Sequence, residues 1–462
     1  MLETVRACPS PQPQLGGAVM PPRIGAELAE RSAARVTRVP LEAATVASCN
    51  PGTGDADGDG RDEIAVPFNR GEEDVVALFR GDGTVLWETT QAPFYHSVYD
   101  DHERYARSHW HYRTPHRHLL TEIVDIDGDG APEVVVGLGP IHVLDATTGE
   151  LKRSIDLDGL AQIWTLARLS QGGPPAIVAG VNHHGEHGSL VAVDGQGSVL
   201  WEHDTVGLSF EDFMFAGDLS GDGIDEIAFS MADAERFEVR DRAGEPLWSK
   251  HVPTEVGEDT HVDDLVIAPL LGESRQVATS TGGCLFDAEG DLLWTLRERI
   301  EHGQKIDCAT PPGREEPLIY LNSKTGGMAW GISPEGEMEW QYSNFSRGPN
   351  GILLTSAGDW VDWSAPGSRE MVQAELLRGF GQDDLADEDT AFTLYLTVLD
   401  HAGREVAKIP YRDTFYPGFV GAMCARAARV TSAHPRDVVV ITHNTRELLI
   451  ISPAHDNDRP GT

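Results

Sequence analysis

Lysine is almost missing from this chain: 462 residues contain five, at positions 152, 250, 305, 324 and 408. With 36 basic side chains against 74 acidic ones, the formal net charge is −38. Such a surface repels phosphate backbones and anionic lipid, so neither nucleic acid nor a membrane is an expected partner. Cysteine is equally sparse. Cys8, Cys49, Cys284, Cys308 and Cys424 are scattered without a Cys-x-x-Cys spacing, which excludes a disulfide framework and a zinc knuckle. No run reaches the roughly 18 apolar residues of a membrane span. The N-terminal stretch MLETVRACPSPQPQLGGAVMPP lacks a basic segment followed by an apolar one. Cytoplasmic residence is therefore expected for the chain as given, and secretion if a leader has been removed. Also missing are a Gly-x-Ser-x-Gly elbow, a Walker A loop and a Gly-x-Gly-x-x-Gly fingerprint, which removes the commonest hydrolase, nucleotide and dinucleotide readings.

What the chain does have is a repeat. The segments GTVLW, GSVLW, GEPLW, GDLLW and GEMEW end at Trp87, Trp201, Trp248, Trp294 and Trp340, the last four spaced by 46 or 47 residues. GELKR, ending at Arg153, and GREVA, ending at Ala407, keep the frame without tryptophan. Alternating apolar runs precede each glycine, as in VVALFRGDG and LVAVDGQG, and mark a β-hairpin in every unit. A second pair of runs lies upstream of each hairpin, which gives four short strands per unit, the size of a propeller blade. The expected fold is all-β: a β-propeller of about eight four-stranded blades, with seven possible if one unit is atypical. The tryptophans are expected to pack between blades. Residues 1–23 read as a flexible arm, 24–454 as a single propeller with insertions at about 91–118 and 343–392, and 455–462 as a tail. A monomer is expected.

Three units carry an acidic turn of one spacing: DADGDGRDE, DIDGDGAPE and DLSGDGIDE. Calcium takes six to eight oxygens at about 2.3–2.6 Å, and carboxylates at loop positions 1, 3, 5 and 9 converge only where glycine permits the tight turn. The expected ligands are Asp55, Asp57, Asp59 and Glu63; Asp125, Asp127, Asp129 and Glu133; and Asp218, Ser220, Asp222 and Glu226. Ser220 weakens the third set. Glutamate at position 9 between strands, rather than position 12 between helices, excludes an EF-hand. The corresponding turns near 309–317 and 364–370 lack the ligands. Calcium is thus the expected cofactor, in a structural role.

These loops resemble the calcium repeats of FG-GAP and VCBS propellers. Phrases such as EVVVGLGPIHVLDATTGEL and IEHGQKIDCATPPG are more similar, over about residues 50–340, to rhamnogalacturonan-lyase propellers. The resemblance implies a carbohydrate-active enzyme but carries no catalytic residue over to this chain.

If the acidic turns join strands one and two on one face, the opposite face is built from the loops that lead into strand one and those that join strands two and three. His183, His184, His187, His261, His302, Lys324 and His443 fall there, with Trp164, Gln162, Gln304, Asn69 and Arg70. The stretch from Gln91 to His118 adds six histidines, four arginines, Trp110 and Tyr112. Aromatic rings stack on sugars, arginine pairs with carboxylates, and histidine or tyrosine moves protons near neutral pH, which together suit an anionic carbohydrate. The expected reaction is β-elimination on a uronate glycan. His183, His184, His302 and Tyr112 are the proton-transfer candidates. Arg113, Arg117, His116, His118, Trp110, Trp164, His261, Lys324 and His443 are the substrate-binding ones. Three alternatives stay open: a zinc site at His183, His184 and His187; glycoside hydrolysis using Glu211 or Asp212; and a propeller that binds carbohydrate or protein without catalysis.

Overall fold

In blades two to seven the repeat closes on a turn that its first residue caps. In the second unit, the Asp145 carboxylate accepts from the backbone N–H of Thr147 at 3.0 Å and of Thr148 at 2.8 Å. The chain then reverses at Gly149, whose φ of 74° a side chain resists. Turns of this kind pair the strands Ile141–Asp145 and Leu151–Ile155, and the pattern recurs around the molecule. The computed structural model describes residues 34–453, apart from 42–43, 48–50, 71–72, 94–119, 184–185, 208–209, 232–235, 252–261, 301–302, 324–327, 344–353, 357–359, 379–390, 416–423, 432–436 and 442–446.

The strands form eight antiparallel sheets, each a meander of four with one strand split in the first and seventh. Blades one to seven follow chain order, with second strands Glu63–Arg70, Glu133–Val136, Ala176–His183, Glu226–Met231, Gln276–Thr279, Leu318–Ser323 and Glu370–Arg378. Blade eight is composite. Cys424–Ala428, Asp437–Ile441 and Glu447–Pro453 supply three strands, and the N-terminal strand Ala34–Pro40 pairs with the last of them. The eight-bladed propeller is therefore the fold, closed by joining the two ends of the chain in one sheet.

Burial explains the ring. Second and third strands are buried on both sides, as in AIVAGVNH of blade three, where all eight residues are buried. Each of seven apolar clusters draws its side chains from two consecutive sheets rather than from one. A single blade could not cover both its faces, so stacking supplies the core and closure leaves no bare end. First strands of neighbouring blades touch, which puts them innermost, around the central axis.

The repeated tryptophans link the blades. Trp87, Trp201, Trp248, Trp294 and Trp340 stand on outer strands and donate through Nε1 to the carbonyls of Ala146, Arg242, Ala288, Pro334 and His401, at 2.8–3.0 Å, in the hairpin turn of the following blade. The ring covers the turn glycine so closely that a Cβ at Gly149 would stand 2.6 Å from Trp87. Where tryptophan is lost, Arg153 donates instead to the carbonyl of Gly195 in the next turn.

One expected boundary changes. The stretch 343–392 is not simply an insertion: it contains Leu354–Ser356, Trp360–Val361 and Glu370–Arg378, the first two strand positions of blade seven. That blade is longer because its second and third strands, Glu370–Arg378 and Ala391–Leu399, have nine residues each. Ala34–Pro40 belongs to the last blade. Most of the insertion at 91–118, the N-terminal arm and the C-terminal tail lie outside the described residues.

Candidate functional site

The acidic turns lie at one end of the barrel, where first strands end and second strands begin. In the first loop both Asp55 oxygens accept backbone N–H groups, from Gly58 at 2.7 Å and Gly60 at 3.0 Å. Glu63, 2% exposed, reaches back to the N–H of Ala56 at 2.9 Å. The second loop repeats this frame with Asp125 on Gly128 and Gly130, and Glu133 on Ile126. The third does so with Asp218 on Gly221 and Gly223, and Glu226 on Leu219 and Ser220. Burial pushes the Glu63 and Glu226 carboxyls above the usual carboxylate range.

Oxygens of Asp55, Asp57 and Glu63 lie within 4.8 Å of one another, as do those of Asp125, Asp127 and Glu133. Hard carboxylate oxygens at that separation fit a calcium ion. Asp59 and Asp129 stand outside these triples and accept from Arg61 and Ala131 N–H groups. Among the described residues the third loop gives no such triple. Ser220 there supplies a hydroxyl in place of a carboxylate, and the Asp218 carboxylate faces Arg275 of the next blade at 3.4 Å. Each loop also has basic neighbours. Arg80 meets Asp57 at 3.2 Å, and the second loop holds Lys152 against Asp127, Asp129 and Glu133, with Arg153 on Asp127 at 3.0 Å. Glu133 beside it raises the Lys152 ammonium well above its ordinary range.

Two features of this frame escaped the sequence reading. Blade seven keeps it without the acids at positions 3 and 5, since Glu370 accepts from Trp363 N–H at 3.0 Å and Asp362 from Arg369 N–H at 3.3 Å. Position 8 reaches the preceding blade: Asp62 accepts from the N–H of Arg429 at 2.6 Å, and Asp225 from that of Arg168 at 2.8 Å. The first of these pairs bridges the seam where the ring closes.

The opposite end is where function was expected. His183 is there, but it is 9% exposed and both ring nitrogens are engaged, Nδ1 with the Asp158 carbonyl at 2.8 Å and Nε2 with Ser189 Oγ at 2.7 Å. It is a buried, oriented ring rather than a free base. Exposed His187 stacks on it with centroids 4.4 Å apart. Among the described residues no metal cluster forms from these histidines, so the zinc alternative gains nothing. Trp164 is fully buried and donates to the Gly137 carbonyl at 2.8 Å, so its ring is core and has no face for a sugar. Its position beside the polar loops is what misled. Gln162 bonds the N–H of Phe210, tying the first strands of blades three and four. His184, His302, Tyr112, Trp110, Arg113, His116, Arg117, His118, His261, Lys324 and His443 lie outside the described residues.

Blades five and six bring together charged groups at this end that the sequence reading missed. Asp264, just ahead of Leu265–Ala268, meets Lys305 on the neighbouring first strand with Nζ to Oδ2 at 2.9 Å. The same oxygen accepts from the N–H of Ile306 at 3.1 Å. Gln304 donates to Asp263 at 2.7 Å, and Asn322 Oδ1 accepts from the N–H of Lys305 at 3.1 Å. Gly303 permits the close approach, since a Cβ there would stand 1.9 Å from the Ser280 carbonyl. Burial raises the Asp264 carboxyl above its ordinary value, against the pull of Lys305. The Lys305 side chain keeps 29% of its surface exposed while its ammonium stays paired with Asp264. The available signal was the rarity of lysine. Across the axis, Arg426 of blade eight pairs bidentately with Glu122 of blade two at 2.6 and 3.2 Å, past the Gly52–Gly54 strand of blade one.

One histidine in blade two reports on pH. His142 is 2% exposed, with ring nitrogens on Ser154 Oγ at 2.9 Å and the Pro93 carbonyl at 2.7 Å, and burial holds its pKa down. A depressed base favours folding above its unfolded pKa, about 6.5, and that contribution is lost as pH falls through and below it. Wild type is therefore expected to lose more melting temperature than His142→Gln between about pH 8 and about pH 5. Equal losses would show that His142 does not titrate differently on folding.

A family model described as outer membrane protein assembly factor BamB matches residues 71–309. No curated protein matches the sequence. Among solved structures, the exotype rhamnogalacturonan lyase YesX is similar with a TM-score of 0.55 and 17% identity, covering 91% of this chain and 76% of that one. BamB from Moraxella catarrhalis is similar with a TM-score of 0.49 and 14% identity, covering 91% and 98%. At 17% identity the likeness to the first of these structures shows the propeller fold alone. The matching family model is not one of FG-GAP or VCBS repeats.

Proposed function

This chain belongs to the family of the outer membrane protein assembly factor BamB, and from that propeller scaffold we propose that it binds an anionic carbohydrate at the channel mouth of blades five and six and cleaves it by β-elimination. The observation that carries this reading is the Asp264–Lys305 pair. A carboxylate as buried as Asp264 costs several kcal/mol unless paired, and the stacking of blades does not require it. Lys305 has the chemistry to neutralise a uronate carboxylate, which acidifies the adjacent C–H. His302 directly precedes this strand and Lys324 directly follows its partner, where Gly303 pairs with Ser323. His302 is the proposed base and Lys324 a second cation. The base takes the α-proton, the electron pair forms the C=C bond, and the leaving oxygen departs with a proton from an acid. The fold likeness to a rhamnogalacturonan lyase is compatible with this chemistry.

Calcium in the first acidic loop, and more weakly in the third, is part of the same proposal, with a stabilising role. Chelator is expected to lower the melting temperature of wild type by several degrees, and Asp55→Asn to reproduce most of that drop. A melting temperature indifferent to both would remove calcium from the account.

A second reading, a binding propeller without catalysis, is favoured by the engagement of both His183 ring nitrogens. The two are separated by mixing the protein with uronate polysaccharides and oligosaccharides while following the ultraviolet absorbance of unsaturated uronate. Rising absorbance supports elimination. Binding heat without any rise would leave the non-catalytic propeller, and new reducing ends without a rise would indicate hydrolysis.

A further inference from the structure

We propose that Lys152 is the resident cation of the second acidic loop, so that this loop is held together without a divalent ion while the first is not. The inference rests on the calcium reading of the loops and refines it. In blades one to seven one outer-strand position lies three residues after the hairpin glycine, and in blades two and six its side chain reaches the turn between the first two strands of its own blade. Leu86, Leu200, Leu247 and Leu293 occupy it in blades one, three, four and five, and Val406 in blade seven. It is charged in blades two and six, and in both it pairs with an oppositely charged side chain of that turn.

In blade six, Glu339 pairs with Arg314 of the turn through two contacts, at 2.6 and 2.7 Å. In blade two, Lys152 places its ammonium against Glu133 and within 3.4 Å of Asp127 and 3.5 Å of Asp129. These are oxygens a divalent ion would need. Glu133 is wholly buried and Lys152 is 25% exposed, so one positive charge is brought to a carboxylate that water cannot reach. Arg153 adds a second on Asp127. The first loop has no counterpart, since Leu86 stands at the same position and Arg80 reaches Asp57 alone, from a side chain 50% exposed. A tethered ammonium occupies its site at all times, and a calcium ion entering there must displace it and bear the repulsion. The second loop, which by sequence has as full a ligand set as the first, is thus the one that dispenses with metal.

The test is the number of calcium ions bound per full-length chain, measured by calorimetry from chelator-stripped protein. Lys152→Met is expected to bind one more ion than wild type, and Lys152→Arg, which keeps the charge, no more than wild type. Asp125→Asn in the wild-type background is expected to leave the count unchanged, whereas Asp55→Asn lowers it by one. A count that falls with Asp125→Asn, or one that Lys152→Met fails to raise, overturns the proposal. If wild type binds no calcium but Lys152→Met gains a site, the reading of the first loop fails and that of Lys152 stands.

Discussion

Replacing Trp87 by alanine is expected to lower the unfolding free energy by about 3–5 kcal/mol, a large part of the roughly 5–15 kcal/mol typical of a folded protein. The residue is 9% exposed, it fills the interface of blades one and two, and its Nε1–H is the bond to Ala146 across that interface. Truncation opens a cavity against Gly149 and leaves the Ala146 carbonyl without its partner, so transfer and hydrogen-bond losses add. Trp201 has the same bond to Arg242 but stands further out of the core, and alanine there is expected to cost clearly less. Denaturant titration compares the two. A fall in midpoint with an unchanged slope marks lost packing in an intact cooperative ring, whereas equal small losses at both positions would mean that the tryptophans do not hold the blades together.

The second large effect is at Lys305. Removing its ammonium is expected to lower the elimination rate about 10²–10³-fold, the range seen when one preorganised group that stabilises developing charge is lost. Lys305→Met alone would strand the Asp264 carboxylate in a buried position, a change that itself costs about 3–5 kcal/mol. The informative variant is the double replacement Lys305→Met with Asp264→Asn, which removes both charges together. It is expected to melt close to wild type and to have lost the activity. Retained activity in this variant would take Lys305 out of the chemistry.

The fold was legible because a propeller repeats its signals. Hairpin glycines, capping aspartates and tryptophans recur in phase, and each has a local physical cause in the structure. Closure was not legible, because Ala34–Pro40 pairs with Glu447–Pro453 at the far end of the chain and nothing near either segment announces it. Blade seven was seen through its GREVA hairpin, but its first half, within about 343–392, was read as insertion because its strands are long and its turn keeps Asp362 and Glu370 while losing the acids between them.

The candidate site was less legible, for a different reason. Polar residues near loop ends attract attention, but burial decides what they do. Trp164 was placed at the right end of the right blade and is core, and His183 is locked by Asp158 and Ser189. Asp264 and Lys305 come from neighbouring blades and meet only when the sheets stack, so spacing along the chain gave no hint of the pair. Lys152 had the opposite fate: it was seen as a lost tryptophan frame, and its charge proved to matter through a contact within its own blade.

The most direct test of the functional account is the ultraviolet absorbance of unsaturated uronate when calcium-loaded wild type and the Lys305→Met, Asp264→Asn double variant are each mixed with uronate oligosaccharides. The account predicts a rise with wild type and almost none with an equally folded variant. No rise with wild type on any uronate substrate, while calorimetry still detects binding, would contradict elimination and leave a propeller that holds its ligand without changing it.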